Sequence, residues 1–301
     1  MGRVIVVGSI NQDVTVQVDR HPLPGETLHG RGVSYRLGGK GANQAAAAAH
    51  GGAETLFVGA VGSDAAGEGL RAELGSHGVD LSLLRTADAT SGVAFIQVAA
   101  SGENTIILDA GANGTVPADA LEAVEGLGRG DVVVLQGEIP FASNAATVRL
   151  ARASGARVVL NLAPVYEIAP EVLADVDVLV VNEYEAGLAL DRPAPTSVEE
   201  ALEAARALRE KGVGSVVITL GKAGAVRVDA ESEAHVPAID LGPVVDTTGA
   251  GDAAVGVLAA ALAAGLPFDE AVEAGMRAGS IAVLSPGAAA SYTGIGAVVP
   301  R

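Results

Sequence analysis

The sequence predicts an α/β fold: a doubly wound, mainly parallel sheet flanked by helices, with further antiparallel strands. Three observations carry this. Short, nearly continuous apolar runs of strand length recur along the chain, as expected for parallel strands buried on both faces. Segments of helical periodicity lie between most of them. Two regions instead show strand pattern with no helix between the strands.

The apolar runs are residues 4–7, 55–58, 132–135, 158–160, 178–181 and 216–219. The clearest helical patterns are 42–50, 67–77, 143–153 and 199–211. The last opens on a capping box, Ser197 with Glu200, and stops at Gly212. The strand-only regions fall within about 13–37 and 91–108. In the first, residues 14–18 alternate Val-Thr-Val-Gln-Val, and Val33, Tyr35 and Leu37 alternate again; in the second, 91–98 and 105–108 read as strands. Period-two alternation marks half-buried antiparallel strands. These segments form either a small sheet of their own or an antiparallel extension of the main one, and pattern alone does not separate the two. No linker, low-complexity tract or fixed-period repeat divides the chain, so residues 1–301 read as one domain.

Composition narrows the function. The chain is 49% hydrophobic but only 3% aromatic, with no Trp, so its core must be built from Ala, Val, Leu and Ile. A net charge of −17 argues against nucleic acid and against an anionic membrane surface as partners. It does not argue against a nucleotide, because backbone N–H groups recognise phosphate locally. With no cysteine there is no disulfide, thiolate or Cys-based zinc chemistry, and the five histidines show no ligand spacing. The first residues read as a strand rather than a signal segment, and the longest apolar run, 253–264, is too short to span a bilayer. A cytoplasmic location is expected.

The strongest local feature is Asp246-Thr247-Thr248-Gly249-Ala250-Gly251-Asp252, followed at once by a long apolar helix. Gly-Ala-Gly at a helix start leaves backbone N–H groups bare, and with the helix dipole they make an anion hole. A carboxylate beside that hole repels a phosphate unless it faces another group. Phosphoryl transfer needs this pairing: donors for the phosphoryl and a base for the acceptor hydroxyl. On spacing alone, a Gly-rich helix start with a dipole-favoured Asp is the competing reading.

A second loop, Leu37-Gly38-Gly39-Lys40-Gly41-Ala42-Asn43-Gln44, also opens an alanine-rich helix. It is not a P-loop, because Ser34 stands where the first Gly belongs and Gly41 follows the Lys instead of Ser or Thr. Small residues and Asn43 suit a neutral polyol; a plain turn competes. Polar or Gly-rich clusters also end other strands: Gly8 to Asp13, Gln136-Gly137-Glu138, 182–185 and 219–224. Ligands in open α/β sheets bind at such carboxyl ends. Gly67-x-Gly69-x-x-Ala72 mimics a dinucleotide fingerprint but lies inside a helical pattern, which counts against an oxidoreductase.

In order from Val4 to about Ser291, these residues resemble the PfkB, or ribokinase-like, sugar kinases. Residues 38–43 match that family's N-terminal signature and 246–252 its C-terminal one. Gly8-Ser9-Ile10-Asn11-x-Asp13, Gly102-Glu103-Asn104, Ala110-Gly111-Ala112-Asn113 and Glu138 point to the ribokinase branch. The resemblance implies ATP-dependent phosphorylation of D-ribose at its 5-hydroxyl, with Asp252 as base and Gly249, Ala250 and Gly251 as anion hole. A kinase for fructose, ketodeoxygluconate or a nucleoside is the alternative, and a non-catalytic sugar sensor a more distant one. It further implies that Asn11, Asp13, Gly39, Lys40, Gly41, Ala42, Asn43, Glu138 and Asp252 meet the sugar. Asn182, Thr219, Leu220, Gly221, Lys222, Ala223, Gly224, Gly251, Asp252 and Met276 would lie along the nucleotide. Asn182 and Glu185 would support Mg²⁺, and Asp246, Thr248, Ala282, Ser285, Gly287 and Ser291 would hold K⁺. The strand-only regions would form a small antiparallel β lid, and the lids would pair two copies into a homodimer. The chain departs from the family pattern where Ala253 and Ala254 follow the base without an aromatic neighbour, and where residues 285–291 lack a Gln-Pro pair.

Overall fold

The computed structural model describes residues 2–296. In chain order the first half runs β1 (Val4–Val7), β2 (Asn11–Val18), β3 (Arg31–Gly38), α1 (Lys40–His50), β4 (Thr55–Gly62), α2 (Ala65–Ser76), β5 (Leu84–Ala87), β6 (Gly92–Ala99) and β7 (Asn104–Asp109). The second half runs β8 (Val132–Leu135), α3 (Phe141–Ser154), β9 (Arg157–Asn161), α4 (Pro170–Leu173), β10 (Val178–Asn182), α5 (Glu183–Leu190), α6 (Val198–Glu210) and β11 (Ser215–Thr219). It ends with β12 (Ala225–Val228), β13 (Glu233–Val236), α7 (Ala250–Ala263) and α8 (Phe268–Ala282).

Nine strands form the main sheet in the order β13-β12-β11-β10-β9-β8-β1-β4-β5. All neighbours are parallel except β11–β12 and β12–β13. Both faces are buried, which is why its strands read as unbroken apolar runs. Val4 and Val6 of β1 enter a core with α1, α2, α7 and α8. Ile5 and Val7 enter a second core with α3, α4, α5 and α6. Every apolar run of the sequence is a strand of this sheet. Its remaining strands, β5, β12 and β13, lie at the sheet's two ends. They are four residues each and carry polar side chains, so no apolar run announces them.

The strand-only regions form a separate four-stranded sheet in the order β3-β2-β6-β7, not an extension of the main one. The antiparallel expectation is corrected at its centre: β2–β3 and β6–β7 are antiparallel, but β2 and β6 run parallel from Asn11↔Gly92 to Val18↔Ala99. The reason is connectivity. The chain leaves the lid after β3, passes through α1, β4, α2 and β5, and re-enters in the same direction. Period-two patterning reports a half-buried strand and not the sense of its neighbour.

Helix α6 corrects the capping box at its start. The Ser197 side chain accepts from the Glu200 N–H at 3.2 Å, but the Glu200 carboxylate takes the Thr196 N–H instead of reaching back to Ser197. The reciprocal box is built at α5, where Asn182 caps Glu185 N–H and Glu185 caps Asn182 N–H, both at 2.8 Å. That lock places a carboxylate at the carboxyl end of β10.

Candidate active site

The carboxyl ends of β1, β8, β9, β10 and β11 share one rim of the sheet, and α7 brings its N-terminus to the same rim. Asp252 lies in the first turn of α7 and is buried. Its Oδ2 accepts from Asn43 Nδ2 at 3.0 Å and its Oδ1 from Gln44 Nε2 at 2.9 Å. Both donors belong to α1, which reaches α7 because Gly256 faces it: a Cβ there would stand 2.3 Å from the Gln44 carbonyl oxygen.

Gly249 begins α7 with φ 76°, a left-handed conformation suited to Gly. A Cβ there would also strike Ala288 and the Tyr292 hydroxyl. Tyr292 is wholly buried and donates to the Gly249 carbonyl at 2.8 Å. Burial, then the charge of Asp252, raises its pKa, so it stays a donor. Ala250 N–H turns back to the Thr247 carbonyl at 3.3 Å. The space over Gly251 is open, with nothing within 4 Å of where a Cβ would sit.

On one side of Asp252 lies a cavity of about 380 Å³ lined by Asn11, Asp109, Asn113, Glu138 and Phe141 among others. Asn113 clamps the loop after β1, taking Ile10 N–H at 2.9 Å and donating to Asn11 Oδ1 at 2.7 Å. This leaves the Asn11 amide N–H₂ for a ligand. Glu138 Oε2 accepts from Ser9 Oγ and from Lys40 N–H at 3.1 Å. Asp13 stands on β2 over Gly38, where a Cβ would overlap its carboxylate. Burial, then Glu138 and Asp252, push its pKa up to about 7. Burial works against charge on Lys40, but Asp252, Glu138 and Glu185 outweigh it and raise its pKa. Asn43 Oδ1 is buried and has no partner among the described residues. A buried unpaired acceptor calls for a donor from outside the chain.

On the other side lies a groove of about 530 Å³ lined by Thr219, Gly221, Lys222, Gly224, Gly251 and Met276, with residues 238–242, Val244, Gly279, Ser280 and Val283. A smaller space of about 140 Å³ shares Thr219 and Gly251 with that groove and is lined as well by Lys40, Asn161, Asn182, Glu185, Gly249 and Asp252. Burial raises the Glu185 pKa, with the Asn182 N–H and Lys40 pulling the other way. Next to α7, Asp246 accepts from Thr248 N–H at 2.9 Å, Thr248 Oγ at 2.7 Å and Gly287 N–H at 2.8 Å. Burial works against its charge, but these donors and the nearby Arg36 hold its pKa low.

A buried carboxylate at a helix N-terminus, with a cavity and a groove along the same rim, meets both signatures of one family, and the model of the pfkB family carbohydrate kinases matches residues 1–293. The chain belongs to that family. As a pfkB carbohydrate kinase it transfers a phosphoryl group to an alcohol. It is 36% identical over 288 residues to a ribokinase of Haemophilus influenzae, covering 95% of this chain and 94% of that one. The ribokinase structure from Thermotoga maritima superposes with a TM-score of 0.85 at 33% identity, covering 97% and 96%. The Arabidopsis thaliana ribokinase complexed with ribose and ATP gives 0.87 at 31% identity, again covering 97% and 96%.

Within this kinase fold most sequence-expected residues converge. Gly41 and Ala42 are the exceptions on the sugar side: both are buried, with N–H groups bonded to Ser9, so they dock α1 onto the loop after β1. On the nucleotide side Leu220 turns into the core and Ala223 gives its carbonyl to His235, and neither lines the groove. Asp246, Thr248 and Gly287 are joined by hydrogen bonds. Ala282 and Ser285 flank Val283, whose carbonyl takes the Val245 N–H at 2.8 Å, and Ser291 Oγ donates to the Ala288 carbonyl. Sequence reasoning gave no role to Ser9, Gln44, Asn113, Gln136 or Asn161. All are polar and buried, and the first four stand inside or beside the motifs. The 238–244 wall of the groove carries no motif at all.

Proposed function

We propose that this chain phosphorylates D-ribose at its 5-hydroxyl with ATP, giving ribose 5-phosphate and ADP. The observation that carries the reading is Asp252, buried, held by two amide donors and lining a space that adjoins a nucleotide-sized groove. The Arabidopsis protein seen with ribose and ATP shares the fold over nearly its whole length. Asp252 takes the hydroxyl proton as the sugar oxygen bonds to the γ-phosphorus, and ADP leaves. The open Gly251 N–H and the α7 dipole stabilise charge on the phosphoryl group, with Gly249 and Ala250 shaping the turn. Asn11, Asp13, Glu138 and the unpaired Asn43 Oδ1 bind sugar hydroxyls. Gly39, Gly41 and Ala42 set the loop that carries Lys40.

Thr219, Gly221, Lys222, Gly224 and Met276 hold the nucleotide. Leu220 and Ala223 fix that turn, and Asn182 meets the phosphate end. Asn182 and Glu185 would support Mg²⁺ through waters, since both line the space beside Asp252. Asp246, held ionised, fits K⁺, with Thr248 and carbonyls from the stretch containing Ala282, Ser285, Gly287 and Ser291. The protein works in the cytoplasm as a homodimer joined through its lid.

ADP release across ribose, 2-deoxyribose, fructose, ketodeoxygluconate and nucleosides tests the assignment. Ribose should give the highest kcat/KM. Asp252→Asn should lower kcat by about 10²–10⁴ while ATP still binds. A clear preference for another acceptor overturns the substrate, and near-normal turnover of the variant overturns the base.

A further inference from the structure

Five buried amide side chains converge beneath Asp252, and their directions are fixed without ambiguity. The Val180 carbonyl only accepts, so Asn161 must turn Nδ2 toward it, which it does at 3.1 Å. Asn161 Oδ1 then faces Gln44, and Gln44 must present its N–H₂, at 3.0 Å. The same nitrogen donates to Asp252 Oδ1 at 2.9 Å. Gln44 Oε1 is thereby turned away and accepts from Gln136 Nε2 at 2.8 Å. Gln136 is held from behind, its own carbonyl accepting from Asn144 Nδ2. Gln44 and Gln136 are wholly inaccessible to solvent, and Asn161 and Asn144 nearly so.

We propose that Gln44 is a positioning residue for the base, fixing the orientation of the Asp252 carboxylate. This rests on Asp252 being the base. Gln44 spends both N–H bonds on Asn161 and Asp252 and its oxygen on Gln136, so its side chain has one orientation. Asn43 grips Oδ2 but keeps Oδ1 unpaired, which suits a residue that also meets ligand. Gln44 lines none of the three cavities of the site, so its influence passes through Asp252. Two fixed donors, one on each carboxylate oxygen, stop the group rotating and stabilise its charge. Gln44 is fully paired, whereas Gln136 Oε1 and Asn144 Oδ1 have no partner among the described residues, and removing a fully paired member unsettles its neighbours.

Gln44→Met keeps length and removes both functions. Its kcat should fall by about 10–10² with KM for ribose and ATP changed less than about threefold, since positioning acts on the reacting group. Gln44→Glu keeps the acceptor for Gln136 and donates to Asp252 only while protonated. It should recover turnover at low pH and lose it as pH rises. It also supplies the test if the Met variant does not fold. A Met variant with wild-type kcat overturns the proposal. So does a fall in kcat matched by an equal rise in KM for ribose or ATP, or a Glu variant with a wild-type pH profile. Near-normal Asp252→Asn turnover overturns the base assignment instead.

Discussion

Asp13 is the residue where burial and charge conflict most plainly. Its pKa is pushed up to about 7 from 3.8, first by burial and then by Glu138 and Asp252. The folded value lies above the unfolded one, so the stability tied to this group is full below about pH 4, declines as pH rises toward 7, and is level above. Asp13→Asn removes the ionised carboxylate from that setting. Thermal melts across pH should show the variant gaining on wild type from about pH 4 to about pH 8. A constant difference in Tm would show that Asp13 is not perturbed. The variant should also bind ribose less well at neutral pH, because an ionised carboxylate is the stronger acceptor for sugar hydroxyls. At this scale the sequence was informative where residue type matches chemistry, as at Asp13, Glu138 and Asp252. It was silent on Gln44, Asn161 and Tyr292, which act by being buried, and burial is settled by contacts far along the chain.

At the scale of elements, the close approach of α1 and α7 matters most, since it brings Asn43 and Gln44 onto Asp252. Both helices are rich in Ala, and α7 carries Gly256 where α1 presents the Gln44 carbonyl. Packing this tight is built from small residues, and the low aromatic content of the chain is its compositional trace. Gly256→Ala would place a methyl 2.3 Å from that oxygen, with the Ala47 Cβ at 2.7 Å. Neither neighbour is the free end of a flexible side chain. The strain of overpacking is about 1–3 kcal/mol, less up to about 1 kcal/mol for the gain in helix propensity. A lower urea midpoint at unchanged m is expected, together with a fall in kcat as α7 is pushed from α1. A variant as stable and active as wild type would show that the helices move apart freely. Element identity was legible because apolar period and length differ between strand and helix. The parallel β2–β6 pairing was not, because it depends on where the chain travels between them.

For the whole molecule, the question is what covers the far face of the lid. The pairing register puts Tyr35, Val14, Phe95 and Ile107 in one row across its four strands. Alternation places that row opposite the Asp13 face. Tyr35, Phe95 and Ile107 are 65%, 51% and 62% exposed, with Val33 at 55% beside them. A contiguous apolar row on a sheet that is otherwise thinly supported marks an association surface. In the proposed homodimer a second lid would offer the same row and close the contact symmetrically. The opposing term is charge: each copy carries −17, so association works against long-range repulsion that salt screens. The dimer should therefore tighten from about 20 mM to about 500 mM salt, where screening removes repulsion while apolar burial persists. Phe95→Asp adds a charge at the centre of the row and should give the monomer mass by analytical ultracentrifugation at both salt concentrations. A wild-type protein that sediments as a monomer throughout, or a Phe95→Asp variant that remains dimeric, would move the interface away from the lid and leave the transfer chemistry at Asp252 untouched.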